Sequence, residues 1–205
     1  MVCYYKSLKV VLLGESAVGK SAIVTRFSTG KFQRNNATIG AAYVTKSVEF
    51  KDGEDDYKVQ LEIWDTAGQE RYRSLTPMYY RNTDVALVVF DLSRLQSLSM
   101  AHKWIDELNQ YVENKGRERI NIVLVGNKLD LLSSDDGIRE ETLGEIHQEF
   151  KPVSAKTGEG IDLIFEDIVK SIPRDQFELK EDANTRNTNN TVDLTTTRHS
   201  STCSC

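Results

Sequence analysis

Short apolar runs alternate along the chain with longer stretches whose apolar positions recur every three to four residues. Leu8–Leu13, Ala86–Phe90 and Ile122–Val125 are nearly continuous and rich in β-branched residues. That is the pattern of parallel strands buried on both faces. Ala42–Phe50 and Val59–Ile63 flank a charged stretch carrying Asp52-Gly53, a hairpin signal. Ala22–Phe27 has the spacing of a helix that ends near Gly30. Leu98, Ala101, Trp104, Ile105, Leu108 and Val112 mark a second helix. Ile161, Ile164, Phe165, Ile168 and Ile172 mark a last one, stopped by Pro173. We read these stripes as core.

Glu149–Val153 is a weaker strand, and Pro152 cannot donate to a ladder, so the strand belongs at a sheet edge. The alternation predicts a three-layer α/β domain on a six-stranded, mostly parallel sheet with one antiparallel hairpin. Ligand chemistry then gathers at the carboxyl ends of the strands. From about Arg174 the chain turns to Asn, Thr, Ser, Asp and Glu. Such a segment buries too little apolar surface to order itself. The predicted division is a domain over 6–173 and a disordered tail over 174–205.

Composition narrows the class. The 205 residues suit one domain plus a tail. A net charge of −5 with no basic stripe argues against nucleic acid as a partner. No apolar run approaches the ~18 residues of a membrane span. Met1 to Lys9 holds no signal-peptide core. The sequons Asn36-Ala37-Thr38 and Asn189-Asn190-Thr191 therefore read as accidental. Cys3 stands far from Cys203 and Cys205, so no disulfide framework is expected.

The first strand runs into Gly14-Glu15-Ser16-Ala17-Val18-Gly19-Lys20-Ser21, a full match to G-x-x-x-x-G-K-[ST] between a strand and a helix. The glycines let backbone fold round an anion with no Cβ in the way. Successive N–H groups of Ser16, Ala17, Val18 and Gly19, with the helix start at Lys20, Ser21 and Ala22, would then face phosphates. Lys20 would reach the β- and γ-phosphates, and the Ser21 hydroxyl would ligate Mg²⁺.

Four further segments follow strands or precede the hairpin. In Asp65-Thr66-Ala67-Gly68-Gln69-Glu70, Asp65 can act on the metal, Gly68 can offer its N–H to a γ-phosphate, and Gln69 can orient an attacking water. Thr38, before the hairpin, can supply a second hydroxyl to Mg²⁺. In Asn127-Lys128-Leu129-Asp130, the Asp130 carboxylate can accept from guanine N1–H and N2–H₂, a pattern adenine lacks. In Ser154-Ala155-Lys156, the Ala155 N–H can meet guanine O6. Each segment alone is common in solvated loops, and the argument rests on all five occurring in this order. A P-loop kinase or ATPase is the competing class, and it would accept ATP.

At this point the chain resembles the Ras-like small GTPases, and within them the Rab family. Trp64 to Tyr72 (WDTAGQERY) is a Rab-type sequence. Thr38 to Tyr43 (TIGAAY) and Pro77 to Asn82 (PMYYRN) are similar to the endosomal branch, including yeast Ypt members related to vacuolar protein sorting. The resemblance covers about 8–172 and extends to the terminal cysteines. It implies a G domain that binds GTP or GDP with Mg²⁺ and switches two loops, about 32–40 and 65–80, as the γ-phosphate comes and goes. It also implies that Lys20 and Gln69 are catalytic, that Phe32 and Lys128 help hold the guanine, and that Tyr43, Trp64 and Tyr79 form an effector-reading trio. Trp64 fits a buried-core reading equally well.

Two departures stand out. Phe32 lies six positions before Thr38, where relatives have seven, so the first switch loop is one residue short. Thr38 then either reaches Mg²⁺ by a tighter path or holds the GTP state less firmly. Ser16 occupies a position that is glycine in some relatives, which implies slow intrinsic hydrolysis. No arginine offers a built-in finger, whose supply in trans is worth roughly 10³–10⁵ in rate. The short switch loop raises an alternative: a GTP-binding module with negligible hydrolysis that recruits effectors as a scaffold.

Cys203-Ser204-Cys205 is similar to the Rab double-prenylation signal and is not a C-a-a-X box. The tail has no polybasic patch, so two lipids would have to suffice for anchoring. The resemblance implies a guanine nucleotide exchange factor, a GTPase-activating protein, a GDP dissociation inhibitor, a Rab escort protein with its prenyltransferase, and effectors. It implies a monomer on the cytosolic face of endosomal, Golgi or vacuolar membranes, with a soluble pool.

Overall fold

A computed structural model describes residues 3–33, 36–69, 76–115, 120–132 and 149–179. Cys203 and Cys205, the expected lipidation sites, and the second sequon lie outside the described residues. The elements are β1 (Cys3–Leu13), α1 (Lys20–Thr29), β2 (Ala41–Asp52), β3 (Asp55–Thr66), α2 (Thr76–Tyr80), β4 (Val85–Asp91), α3 (Gln96–Lys115), β5 (Asn121–Asn127), β6 (Lys151–Pro152), α4 (Ile161–Lys170) and β7 (Glu178–Leu179). The sheet order is β2-β3-β1-β4-β5-β6, with β7 pairing β1.

Alternation along β1 explains the layering. Val10 and Leu12 face one core with Phe27 of α1 and Phe165 of α4. Val11 and Leu13 face the other with Tyr80, Ala101 and Leu108. Side chains point to opposite faces of a strand, so a continuous apolar run needs cover on both. The β2–β3 pair is antiparallel, whereas β1 pairs β3 and β4 in parallel, as does β5 with β4 and β6. Pro152 sits in the edge strand, where its missing N–H costs no ladder bond. Among the described residues, no helix is long and apolar enough to cross a membrane.

The sheet departs from the expected six strands. A seventh forms in the stretch expected as tail, with Tyr4 opposite Leu179 and Tyr5 opposite Glu178 in antiparallel register. Phe177 is the physical cause: it is 8% exposed and packs at 5.0 Å from the Tyr57 ring. Arg174 lies over Phe50 and Tyr57, 4.9 and 5.1 Å from their centroids, and donates to Asp52 at 2.9 Å. One aromatic and one arginine thus attach residues 174–179 to the β2–β3 hairpin, beside the amino end of β1 with which β7 pairs. That strand itself begins at Cys3, before the predicted Leu8 and the predicted domain start at residue 6.

The carboxyl ends of β1, β3, β4, β5 and β6 share one rim. The start of β2 lies there too, because Ala41 pairs with Thr66 at the end of β3. The chain reverses its order across the sheet at β1, and an open α/β sheet offers a ligand crevice at such a point.

Candidate functional site

The turn from β1 into α1 leaves no room for side chains at its glycines. A Cβ on Gly14 (φ 140°) would lie 2.2 Å from the Val89 carbonyl oxygen, and one on Gly19 (φ 99°) 2.3 Å from Asn127 Nδ2. Ala17 also takes positive φ, at 66°, despite its Cβ. Such strain persists where the surroundings enforce it, and it clusters at ligand sites.

Lys20 opens α1 and is only 5% exposed. Its Nζ donates to the carbonyls of Gly14 at 2.9 Å and Glu15 at 3.0 Å, which folds the ammonium back under the loop. Burial lowers its pKa to about 8, against the opposing pull of Asp65 and Glu15. A desolvated cation beneath a curled loop is matched to a polyanion, which would restore its charge balance.

The three predicted metal ligands converge. Ser21 Oγ lies 2.9 Å from Thr38 Oγ1 and donates to Asp65 Oδ2 at 2.5 Å, and Thr38 Oγ1 donates to the same oxygen at 3.1 Å. Thr38 therefore lies within hydrogen-bond reach of both Ser21 and Asp65. Burial raises the Asp65 pKa, with bonds from Ser21 and Thr38 and the charge of Lys20 opposing it. Among the described residues, Asp65 Oδ1 is buried with no hydrogen-bond partner. An orphaned carboxylate oxygen beside two hydroxyls is a hard, all-oxygen donor set of the kind Mg²⁺ takes together with phosphates. The residues present fit the ion.

Gly68 lies against the same loop. A Cβ there would stand 2.5 Å from Lys20 Nζ and 2.6 Å from the Glu15 carbonyl carbon and oxygen. Gln69 lines the same cleft, about 340 Å³, together with Ser16, Ser21, Phe32 and Thr38. A second pocket of about 220 Å³ is lined by Asn127, Lys128, Asp130, Ala155 and Lys156. Gly19, Ala22 and Phe32 border both, so the two form one continuous trough.

In the second pocket Asn127 bridges loops: its Nδ2 donates to the Val18 carbonyl at 2.9 Å, and its Oδ1 accepts the Ala155 N–H at 3.1 Å. The N–H predicted to meet guanine O6 is therefore already donated within the protein, and a base oxygen would share it as a three-centre bond. Asp130 Oδ1 accepts from Ser154 Oγ at 2.6 Å, and Oδ2 lies 3.5 Å from Lys156 Nζ. Phe32 is 44% exposed at the mouth.

The aromatic trio is contiguous. Tyr43 meets Trp64 edge-on at 5.3 Å, and Trp64 tilts against Tyr79 at 6.5 Å. Tyr43 is exposed, while Trp64 and Tyr79 are half-buried against the second core. Trp64 thus takes part in both core and surface.

Sequence reasoning missed the residues that hold the site in shape. Lys9 donates to the Tyr79 and Arg81 carbonyls at 2.9 and 2.7 Å and lies 5.0 Å from the Trp64 centroid. Thr66 Oγ1 donates to the Leu12 carbonyl at 2.6 Å, joining β3 to β1 just before Gly68. Arg26 spans from α1 to the Ala155–Lys156 loop. Each acts on backbone carbonyls, which carry no residue-type signal.

A glycine-bounded anion loop, a buried lysine, an oxygen trio and a carboxylate-lined pocket define a P-loop nucleotide-binding protein. The chain belongs to the Ras family, whose model matches residues 9–174. It is similar to the GTP-binding protein YPT52 of Saccharomyces cerevisiae, at 42% identity over 85% of this chain and 83% of that one. It is similar to the GTP-binding protein ypt5 of Schizosaccharomyces pombe, at 41% identity over 96% and 93%. A third relative, YPT53 of Saccharomyces cerevisiae, is 40% identical over 97% and 95%.

Proposed function

We propose that this chain is a Rab-type GTPase that cycles between GTP- and GDP-bound states to regulate vesicle traffic in the endosomal pathway. The observation that carries the reading is the meeting of Ser21, Thr38 and Asp65 at one end of a trough whose other end presents Asp130. One end suits a metal-bound triphosphate, and the other suits the guanine edge.

The reaction is in-line attack of water on the γ-phosphorus. A new P–O bond forms, the bond to the β–γ bridging oxygen breaks, GDP and phosphate leave, and the water's proton passes to solvent. Lys20 meets charge that develops on the phosphate oxygens, and Gln69 orients the water. Ser21 and Thr38, with Asp65, would hold Mg²⁺, which when bound neutralises phosphate charge. The Gly68 N–H would bond the γ-phosphate and so link its presence to the second switch loop.

The alternative of a GTP-holding scaffold drew its support from the short switch loop. Thr38 beside Ser21 and Asp65 removes that support. The Rab reading carries with it an exchange factor, a GTPase-activating protein, a GDP dissociation inhibitor, an escort protein with prenyltransferase, and effectors that read Tyr43, Trp64 and Tyr79. Lipids on Cys203 and Cys205 would hold the chain on the cytosolic face of endosomal membranes.

Calorimetry on nucleotide-stripped chain tests the proposal. GTP should bind at least a hundredfold tighter than ATP, and Asp130→Asn should shift preference towards xanthine nucleotide. Equal affinity for GTP and ATP would overturn it.

A further inference from the structure

Arg26 sits six residues into α1 from Lys20, and its guanidinium serves three carbonyls at once. Nε donates to Ala155 O at 2.8 Å, Nη1 to Gly30 O at 2.8 Å, and Nη2 to Lys156 O. The first of these joins positions 129 residues apart in sequence. Ala155 is thereby held on both faces of its backbone. Asn127 Oδ1 takes its N–H, and Arg26 takes its carbonyl. Gly158, further along the same loop, would place a Cβ 3.7 Å from the Arg26 Cδ, so the loop also lies along the arginine stem.

α1 is 10 residues long, a rod of about 15 Å. Its first residues lie beneath the phosphate loop, and its last turn grips the loop beside the base pocket. A planar fork of five donors is the one side chain able to bond three carbonyls in fixed directions. A cation near a helix C-terminus is also favoured by the helix dipole.

We propose that Arg26 is a positioning residue that sets how long the guanine nucleotide stays bound, by clamping the Ser154-Ala155-Lys156 loop to the helix that carries the phosphate loop. The inference rests on the proposed guanine-nucleotide function. With the clamp in place, a base cannot leave until a loop tied to α1 and to Asn127 moves. Without it, Ala155 and Lys156 lose their tie to α1, and the base side opens while the phosphate side stays intact. Arg26 touches neither the phosphates nor the metal ligands among its described bonds, so it acts on retention and not on the chemical step.

The test loads full-length chain with fluorescent GDP and follows its release into excess unlabelled GDP, for wild type, Arg26→Gln and Arg26→Lys. Single-turnover hydrolysis of bound GTP is measured alongside. Arg26→Gln should release GDP about tenfold faster, a loss of about 1.4 kcal/mol, with the hydrolysis rate constant within twofold of wild type. Arg26→Lys, whose point charge cannot serve three carbonyls, should fall between. Should the glutamine variant fail to fold, the lysine variant decides alone: release at the wild-type rate overturns the inference. Equal slowing of hydrolysis and loosening of binding would also overturn it, since that marks a general structural loss. Failure of the wild-type chain to retain GDP at all would instead overturn the guanine-nucleotide reading on which this inference depends.

Discussion

Lys128 Nζ lies 2.7 Å from Asp91 Oδ2, an ion pair that joins the carboxyl ends of β4 and β5 beside the base pocket. Lys128 is held in the left-handed region, at φ 67°, immediately after Asn127 and two residues before Asp130. Burial pushes the Asp91 carboxyl up, but bonds from Lys128 and from the Ser93 hydroxyl and N–H outweigh it, leaving the pKa below its ordinary value. Asp91's folded pKa lies below its unfolded one. Its stabilisation is therefore complete above the unfolded range, about pH 4, and fades only as pH falls through the depressed value. Asp91→Asn should cost about 2 kcal/mol at neutral pH. Thermal melts between pH 7 and pH 3 should show a constant gap from wild type down to about pH 4 and a narrowing one below it. A gap that widened on acidification would contradict the assignment.

Gly68→Ala tests the close approach beneath the phosphate loop. The added methyl would meet Lys20 Nζ at 2.5 Å and the Glu15 carbonyl at 2.6 Å. Under the proposed function this is the γ-phosphate side of the cleft, so GTP affinity should fall at least tenfold relative to GDP affinity. Equilibrium titration with both nucleotides gives the ratio directly, and an unchanged ratio would remove Gly68 from γ-phosphate sensing.

Gln69→Leu separates binding from chemistry. Gln69 lines the cleft beside Lys20 and Ser21, and its proposed role is to orient water. Single-turnover hydrolysis should slow at least tenfold while GTP affinity holds. Equal rates would take Gln69 out of the mechanism.

Phe177→Ala addresses where the folded unit ends. The ring is buried among Phe50 and Tyr57, so its loss should cost about 3 kcal/mol in urea unfolding. Arg174→Ala breaks an exposed ion pair to Asp52, a hydrogen bond to the Ile172 carbonyl and cation–π contacts with Phe50, Tyr57 and Phe177, and it should cost about 1 kcal/mol, less than Phe177→Ala. A phenylalanine variant as stable as wild type would mean that 174–179 adds nothing to the fold.

Cys203→Ser with Cys205→Ser should move the chain from membranes to the soluble fraction, because a single lipid holds weakly and none holds not at all. Fractionation of cells expressing the tagged double variant measures this, and retention on membranes would refute lipid anchoring.

The central strands and helices were legible because buried parallel strands and amphipathic helices leave strong periods. Leu8–Leu13, Ala86–Phe90 and Ile122–Val125 each fall within a strand of the sheet. Pro152 declared its edge position by chemistry alone. Phe177 did not stand out, since one aromatic in a polar stretch has no period to amplify it. That Ser21 and Asp65 meet beside Lys20 could be expected from their spacing, because the proposed phosphate and metal chemistry demands those types at those offsets. Arg26, Lys9 and Asp91 could not. Their roles depend on backbone carbonyls or on one ion pair brought together only by the three-dimensional arrangement. For Thr38 a count of six residues from Phe32 left open a tighter path or a weaker hold, and the fold places its hydroxyl 3.1 Å from Asp65 Oδ2.

The pairing of Glu178–Leu179 with Tyr5–Tyr4 has a directional consequence. β1 has 11 residues, so it is about 35 Å long, and the phosphate loop leaves one end of it. The antiparallel partner runs the other way and delivers the chain at the opposite pole. Whatever continues from Leu179 therefore sets out from the end of the sheet remote from the crevice, with the full height of the sheet between the two.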